Sequence, residues 1–158
     1  MDVIFDIDGT LASADHRLHL IESHGAKNWE KFLSPAMVDQ DTPIPQTWLL
    51  MALLMQAGHK VIFITGRRES TRLVTSSWLQ RSAFKLYGPE FAFDVVTNPL
   101  YMRVNDDRQD SHVVKEISLK QAILDGYNPE LCFEDRTSDA EMWRRNGIRT
   151  CQVAEGNF

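Results

Sequence analysis

The sequence predicts a three-layer, Rossmann-like α/β domain, a mostly parallel sheet with helices on both faces. Three observations carry this. Short apolar runs alternate with segments of helical periodicity along the whole chain. Polar side chains follow directly on three of those runs: Asp6, Thr65 and the pair Glu134-Asp135. The 158 residues suit one domain with a sizeable core. No linker, repeat or low-complexity tract divides them, so a single domain over residues 1–158 is expected.

Val3-Ile4-Phe5 is β-branched and aromatic and ends in Asp6, which reads as a buried strand. Leu18 to Ile21 and Trp29 to Phe32 read as pieces of helix separated by Gly25. Thr42-Pro43 reads as an N-cap with Pro at the first helical position. The helix that follows carries Trp48, Leu49, Ala52 and Leu53, and Gly58 closes it. Val61 to Ile64 is the second buried strand. Glu69 to about Ala83 places Leu73, Val74, Trp78 and Leu79 at helical spacing. Phe93 to Val96 reads as a third strand, halted by Asn98-Pro99. Val113 to Leu124 is a helix and Leu131 to Phe133 a fourth strand. Ser138 and Glu141 have the spacing of a capping box, for a helix ending at Gly147. Ile148 to Val153 is the last strand.

The charge balance is 17 basic against 22 acidic side chains, a formal net charge of -5. That disfavours broad, non-specific nucleic-acid binding, which needs spread Lys and Arg, but leaves room for a small basic pocket. No apolar run approaches the ~20 residues of a membrane span. The start, MDVIFDIDGT, has no basic stretch ahead of its apolar residues, so no secretory leader is expected. Cys132 and Cys151 lie far apart in apolar contexts, so a disulfide scaffold is not expected and a reducing cytoplasm is.

In a parallel sheet the ligand crevice lies beyond the carboxyl ends of the strands. Asp6 and Asp8 straddle the end of the first strand, and Gly9 frees the backbone to turn. Carboxylates this crowded repel unless a cation sits between them or one holds a proton. Thr65-Gly66-Arg67 follows the second strand and suits phosphate binding through a hydroxyl, backbone N–H groups and a guanidinium fork. A Thr-Gly turn is also common without that role. Glu134-Asp135 follows the fourth strand, and an acidic pair beside another favours a divalent ion held by oxygen alone, as Mg²⁺ is. Asp139 falls in the capping box and reads as helix-dipole stabilisation rather than as a ligand. From the residues alone Lys115 reads as a solvated lysine on a helix face, with Lys120 the competing candidate.

Other chemistries lack their residues. There is no HExxH, no Cys pair at zinc spacing and no GxxxxGK[ST] loop. The five histidines, His16, His19, His24, His59 and His112, make no nucleophile–base pair in sequence. A glycosidase pair normally comes from different strands, which Asp6 and Asp8 do not.

Asp6-x-Asp8-Gly9-Thr10, Thr65-Gly66-Arg67, Lys115 and Glu134-Asp135, in that order over nearly the whole chain, resemble the haloacid dehalogenase (HAD) superfamily of phosphohydrolases. A closer likeness is to the 3′-phosphatase domain of bacteriophage polynucleotide kinases and related small phage phosphatases. It is carried by Asp15-His16-Arg17-Leu18, Tyr101-Met102-Arg103, Val113-Val114-Lys115-Glu116 and Glu134-Asp135-Arg136-Thr137. The most distinctive stretch runs from Glu141-Met142-Trp143-Arg144-Arg145 through Gly147 to Gln152-Val153-Ala154, Gly156 and Phe158.

The resemblance implies a HAD fold with residues 12–43 as a small helical cap insert, a phage origin and action in the host cytoplasm. It implies a phosphatase acting on a nucleic-acid 3′-phosphate end, with a nucleoside monophosphate as the nearest alternative substrate. Asp6 is then the nucleophile and Asp8 the acid and base, protonated at first. Thr65 and Lys115 bind the transferring phosphoryl group. Arg17, Gly66, Arg67 and Arg103 bind substrate. Mg²⁺ is held by Asp6, Asp135 and the Asp8 backbone carbonyl, with Glu134 reaching metal-bound water. The sequence departs from the family in three ways. The kinase half of the bifunctional enzymes has no counterpart in these residues. The pair Glu134-Asp135 stands where two Asp are usual. His112 and Ser111 occupy the positions three and four before Lys115 where the pattern has Asp, with Asp110 one residue further.

Trp29, in the insert, is a candidate to stack a base, although a Trp at such spacing more often packs in a core. Two other classes share some of these residues. A phospho-acceptor receiver domain also clusters Asp, Thr and Lys on a parallel sheet, but its acceptor sits on a later strand. A non-catalytic end-binding module gains nothing from a crowded acid pair.

Overall fold

The computed structural model describes residues 1–22 and 27–156. The chain runs β1 (Asp2–Phe5), β2 (Ala12–Ser13), α1 (Asp15–Glu22), α2 (Trp29–Phe32), α3 (Pro35–Val38), β3 (Thr42–Pro43), α4 (Pro45–Gln56) and β4 (Lys60–Arg68). A 3₁₀ turn at Glu69–Thr71 leads to α5 (Arg72–Tyr87), α6 (Pro89–Thr97), β5 (Leu100–Arg103), α7 (Ser111–Leu124), β6 (Pro129–Arg136), α8 (Thr137–Arg145) and β7 (Arg149–Gly156). Gly25, His24 and Phe158, named above, lie outside the described residues.

Five strands form one parallel sheet in the order β5-β4-β1-β6-β7. Alternate side chains of each strand feed opposite layers. Val3 and Phe5 of β1, with Val61 and Phe63 of β4, pack with Trp48 and Met51 of α4 and Trp78 and Leu79 of α5. Ile4, Ile62 and Cys132 face the other way, onto Leu119 of α7 and Met142 and Trp143 of α8. These side chains are almost completely buried, so both faces of the sheet are sealed, as a parallel sheet requires. β2 and β3 pair antiparallel at the neck of the segment that carries α1, α2 and α3. That segment has its own small apolar cluster, Ala14, Ile21 and Phe32, with Leu18 and Trp29 against it.

Three sequence expectations are corrected. Phe93 to Val96 is helix α6, not strand: Gly88 turns with φ +91 and Pro89 takes the first helical position. Ala92 and Val95, three apart, are its buried face, while Phe93 is exposed. A short apolar run does not distinguish helix from strand by itself, and the strand here comes after Pro99, as β5. Thr42-Pro43 does not cap α4. Thr42 pairs with Ser13 in the neck ribbon, the Ile44 amide donates to the Leu11 carbonyl, and Pro45 opens the helix instead. The capping box at Ser138 and Glu141 is not formed, because α8 starts at Thr137 and Arg136 stands at its N-cap. Cys132 and Cys151 are free, as expected. Among the described residues no helix is long and apolar enough to cross a membrane.

Candidate active site

β1 lies in the middle of the sheet, so Asp6, one residue beyond it, stands between the ends of β4 and β6. The chain leaves β1 toward β4 and leaves β6 toward β7, in opposite directions across the sheet. A crevice opens where connections diverge in this way. A cleft of about 1280 Å³ occupies that position, with Asp6, Asp8, Lys115, Glu134 and Asp135 in its lining.

The cleft floor is built around one ammonium. Lys115, buried on α7, donates to Asp6 Oδ1 at 2.8 Å, Glu134 Oε2 at 2.7 Å and Asp139 Oδ2 at 2.8 Å. All three of its donors are thereby used. These partners and burial act in opposite senses, and the carboxylates win, holding the Lys115 pKa well above the ordinary lysine value. Glu134 is fully engaged: Trp143 Nε1 donates to its Oε2 at 3.1 Å, and the Asp135 and Arg136 amides donate to its Oε1. Asp135 is wedged between two backbone segments. A Cβ on Gly9, which has φ +85, would lie 2.2 Å from Asp135 Oδ2, and one on Gly156 would lie 2.7 Å from it. Only glycine fits at either place, and Gly9 has the backbone requirement as well.

Four carboxylates, Asp6, Glu134, Asp135 and Asp139, thus surround a single buried ammonium. Desolvation by burial, reinforced by the charge of Glu134, pushes Asp6 up to about 8. Burial and the Asp6 charge push Asp135 up to about 6, and burial raises Glu134 too. Asp6 Oδ2 is buried with no hydrogen-bond partner. Ligand oxygens of Asp6, Glu134 and Asp135 lie within 4.8 Å of one another. An orphaned oxygen, an all-oxygen donor set and uncompensated negative charge together fit a hard divalent cation.

Asp8 has the opposite surroundings. Its Oδ1 accepts from Arg17 Nη2 at 2.6 Å and from Arg67 Nη2 at 2.7 Å, and Arg67 Nε lies 3.0 Å from its Oδ2. Burial opposes ionisation of Asp8, but the guanidiniums of Arg67 and Arg17 prevail and hold its pKa below the usual carboxylate range. These surroundings favour the ionised form of Asp8, whereas the sequence reading has it protonated at first. Arg17 and Arg67, expected to bind substrate, are placed behind Asp8. Both are completely buried, with their forks turned to Asp8 and Asp41, so neither presents a free face to substrate.

Thr65 is buried, and its Oγ1 accepts from the Arg67 amide at 3.2 Å. It lies within β4, which runs on to Arg68 through an irregular register after Ile64. Gly66 and Arg103 do line the cleft. Arg103 donates to the carbonyls of Gly66 at 3.0 Å and Gln109 at 2.6 Å, fixing the loop ahead of α7. Asp110 caps α7 by position, without a side-chain hydrogen bond.

Three features were missed in the sequence. Asp139 is buried, with Ser111 Oγ donating to its Oδ2 at 2.7 Å, and belongs to the lysine cluster. Its spacing of four after Asp135 was the available signal. Asp41 is the shared counter-ion of Arg17 and Arg67, 24 and 26 residues away, and nothing local announces it. Arg68, Arg108 and Arg136 line the cleft with Arg103, where Arg17 and Arg67 were expected. Trp29 is half-buried. It packs edge-on against Phe32, with ring centroids 5.6 Å apart, and also lines the cleft.

Residues 1–158 match the family described as the polynucleotide kinase PNKP phosphatase domain. Among solved structures, the chain is similar to one from a Pnkp1/Rnl/Hen1 RNA repair complex, at 26% identity and a TM-score of 0.68, covering 99% of this chain and 43% of that one. A second chain from a Pnkp1/Rnl/Hen1 complex gives 25% identity and a TM-score of 0.72, over 99% of this chain and 46% of that one. The chain thus spans less than half the length of these two. A haloacid-dehalogenase-like hydrolase from Streptococcus pneumoniae shares the fold, with a TM-score of 0.58 at 15% identity, over 98% of this chain and 85% of that one.

Proposed function

The chain belongs to the polynucleotide kinase phosphatase-domain family of the HAD superfamily and is a phosphatase; from that premise we propose that it removes 3′-phosphates from nucleic-acid ends, with Mg²⁺, through an aspartyl-phosphate on Asp6. The observation that carries the chemistry is Asp6 itself, at the centre of the sheet, with one oxygen held by Lys115 and the other buried and unpartnered at the cleft.

Asp6, Asp135 and the backbone carbonyl of Asp8 would hold the ion, with Glu134 behind them. When bound, Mg²⁺ supplies charge neutralisation and polarises the phosphoryl group. The chain's own residues do the rest. An Asp6 oxygen bonds to phosphorus as the ester P–O bond breaks. Asp8 gives a proton to the departing hydroxyl, then takes one from the water that attacks phosphorus and frees Asp6. The guanidiniums of Arg67 and Arg17 hold free Asp8 toward its ionised form, so it takes up its proton from solvent once the substrate's charge is in place. A phosphomonoester carries about two negative charges near pH 7, its second proton leaving near pH 6. That charge beside Asp8 offsets the two guanidiniums.

Two observations support a polymer end. The cleft of about 1280 Å³ exceeds the roughly 300–1,000 Å³ of a small-molecule site. Its wall carries Arg68, Arg103, Arg108 and Arg136, interspersed with Asp15, Asp107, Asp110 and Glu155, which suits a few phosphate contacts and not a broad basic face. The test is phosphate release from 3′-phosphorylated oligonucleotides, 3′-mononucleotides and 5′-mononucleotides, each with Mg²⁺ and with EDTA. Oligonucleotides are expected to be turned over fastest, and EDTA to stop release. A tenfold preference for 5′-mononucleotides, or full turnover in EDTA, refutes the reading.

Ion binding should also show in stability. Without the ion, folded Asp6 and Asp135 keep protons that the unfolded chain releases near 3.8. Their contribution is present below about pH 4 and is lost as pH rises, through about 6 for Asp135 and about 8 for Asp6. The metal-free protein should therefore weaken between those limits. Mg²⁺ competes with the same protons, so the rise in Tm it produces should be larger at pH 8 than at pH 5. Equal rises at both pH values would place the ion elsewhere.

A further inference from the structure

Behind Asp8 lies a closed charge network of two carboxylates and two guanidiniums. Asp41 is its inner member. Its side chain has no exposed surface. Oδ1 accepts from Arg17 Nε at 2.8 Å and is 2.9 Å from His16 Nε2. Oδ2 accepts from Arg17 Nη2 at 2.6 Å and Arg67 Nη2 at 2.7 Å. The Asp41 carbonyl is held in turn by Trp78 Nε1 at 2.7 Å.

We propose that Asp41 is a positioning residue for catalysis, setting the orientation in which Arg17 and Arg67 present Asp8 to the substrate. The proposal rests on the reading of Asp8 as the acid that protonates the leaving hydroxyl. The argument is one of shared atoms. The same two nitrogens, Arg17 Nη2 and Arg67 Nη2, donate to both Asp41 Oδ2 and Asp8 Oδ1. The place of the Asp8 carboxylate is therefore set by where Asp41 pulls the forks. The remaining fork atoms are tied down, Arg17 Nη1 to the Phe32 carbonyl at 2.8 Å and Arg67 Nη1 to Thr75 Oγ1 at 3.3 Å.

The result is asymmetric. Asp8 Oδ1 takes the crowded contacts, whereas Arg67 Nε at 3.0 Å is the donor to Oδ2. Oδ2 keeps lone-pair capacity for a proton in transit. Arg67 already spans both Asp8 oxygens, whereas the Arg17 fork closes on Asp41 through Nε and Nη2 and touches Asp8 through Nη2 alone. Without Asp41 that second fork is free to close on Asp8 as well, and the remaining capacity of Oδ2 is lost. Asp41 is also the residue just before β3 at the neck of the helical insert. Docking of that insert is thereby tied to the geometry of Asp8.

The test compares Asp41→Asn with wild type on two substrates, an oligonucleotide 3′-phosphate and p-nitrophenyl phosphate. An alkoxide leaves only with a proton, whereas p-nitrophenolate leaves without one. A displaced Asp8 should cost about a hundredfold in kcat/KM on the oligonucleotide and less than about fivefold on the aryl ester. kcat/KM reports the steps through departure of the leaving group, and so excludes the later hydrolysis in which Asp8 serves both substrates as base. The ratio of the two rates, taken on one preparation, cancels any misfolded fraction. Asp41→Glu should recover part of the ratio, and it supplies the measurement if the Asn variant is insoluble. Equal losses on both substrates, no loss, or insolubility of both variants makes Asp41 a residue of the fold alone and overturns the proposal. Wild type inactive on both substrates overturns the functional reading itself, and the proposal with it.

Discussion

Asp6→Asn is expected to abolish phosphate release while the fold stands. Asparagine has the same size and its amide oxygen can still accept from Lys115, but it offers phosphorus no anionic oxygen. The loss should exceed about a thousandfold, or about 4 kcal/mol in the transition state. The fold has little reason to suffer. Lys115 keeps Glu134 and Asp139 as counter-ions. The variant also removes a buried charge that burial and Glu134 already oppose. In EDTA at pH 8 its Tm should therefore lie close to that of wild type. Phosphate release with Mg²⁺ and a thermal melt without it are the two measurements. A variant keeping a tenth of wild-type activity would show that Asp6 is not the nucleophile.

What could be read in the sequence follows from how local each signal is. β1 with Asp6, Asp8 and Gly9 is a contiguous run whose hydrophobicity, acidity and turn glycine agree. The same holds for β6 with Glu134 and Asp135. The parallel sheet then brings these ends together without any further signal, which is why the acidic cluster was legible. Lys115 was ambiguous, because a lysine on a helix looks the same whether it faces water or a sheet edge. Its meaning is set by Asp6 and Glu134, more than a hundred residues before it and nineteen after it.

Arg17 and Arg67 were found but misdirected. Two arginines near a phosphate motif suggest phosphate contacts, and only the position of Asp41 turns their forks away from the cleft. Besides Arg103, the arginines that reach the cleft, Arg68, Arg108 and Arg136, sit one residue past such a motif or in a loop. Phe93 to Val96 was misread for a different reason. Its apolar run fits either period, and Gly88-Pro89 upstream, not the run itself, makes it a helix.

The acidic excess of the whole chain now has a partial location. Asp6, Glu134, Asp135 and Asp139 are concentrated at one point where a divalent cation is due, while arginines line the surrounding wall. On the proposed reading such a surface would take one phosphate and a short terminal stretch, with an affinity that falls with salt. A long duplex gains little from it.

Lys115→Met should have the largest combined effect, on stability and on rate. Breaking a buried ion pair from one side leaves the other side charged and unpaired, which typically costs about 3–5 kcal/mol. Here three carboxylates lose one ammonium together. In EDTA above about pH 8, where Asp6 and Glu134 are ionised in the wild-type fold, the variant should unfold at lower urea, by about that amount. The deficit should shrink as pH falls through about 8 and about 7, where Asp6 and Glu134, both raised by burial, take up protons. Adding Asp139→Asn to the Met variant removes one of the stranded charges and should return about 1 kcal/mol or more of stability. It should return no activity. The transferring phosphoryl group still lacks the cation beside Asp6, a loss on the order of a hundredfold or more in rate. Recovery of stability without recovery of turnover separates the two duties of Lys115, as counter-ion of the fold and as electrostatic partner of the reaction. A Met variant as stable as wild type in EDTA would show that the ammonium is not what permits these acids to be buried.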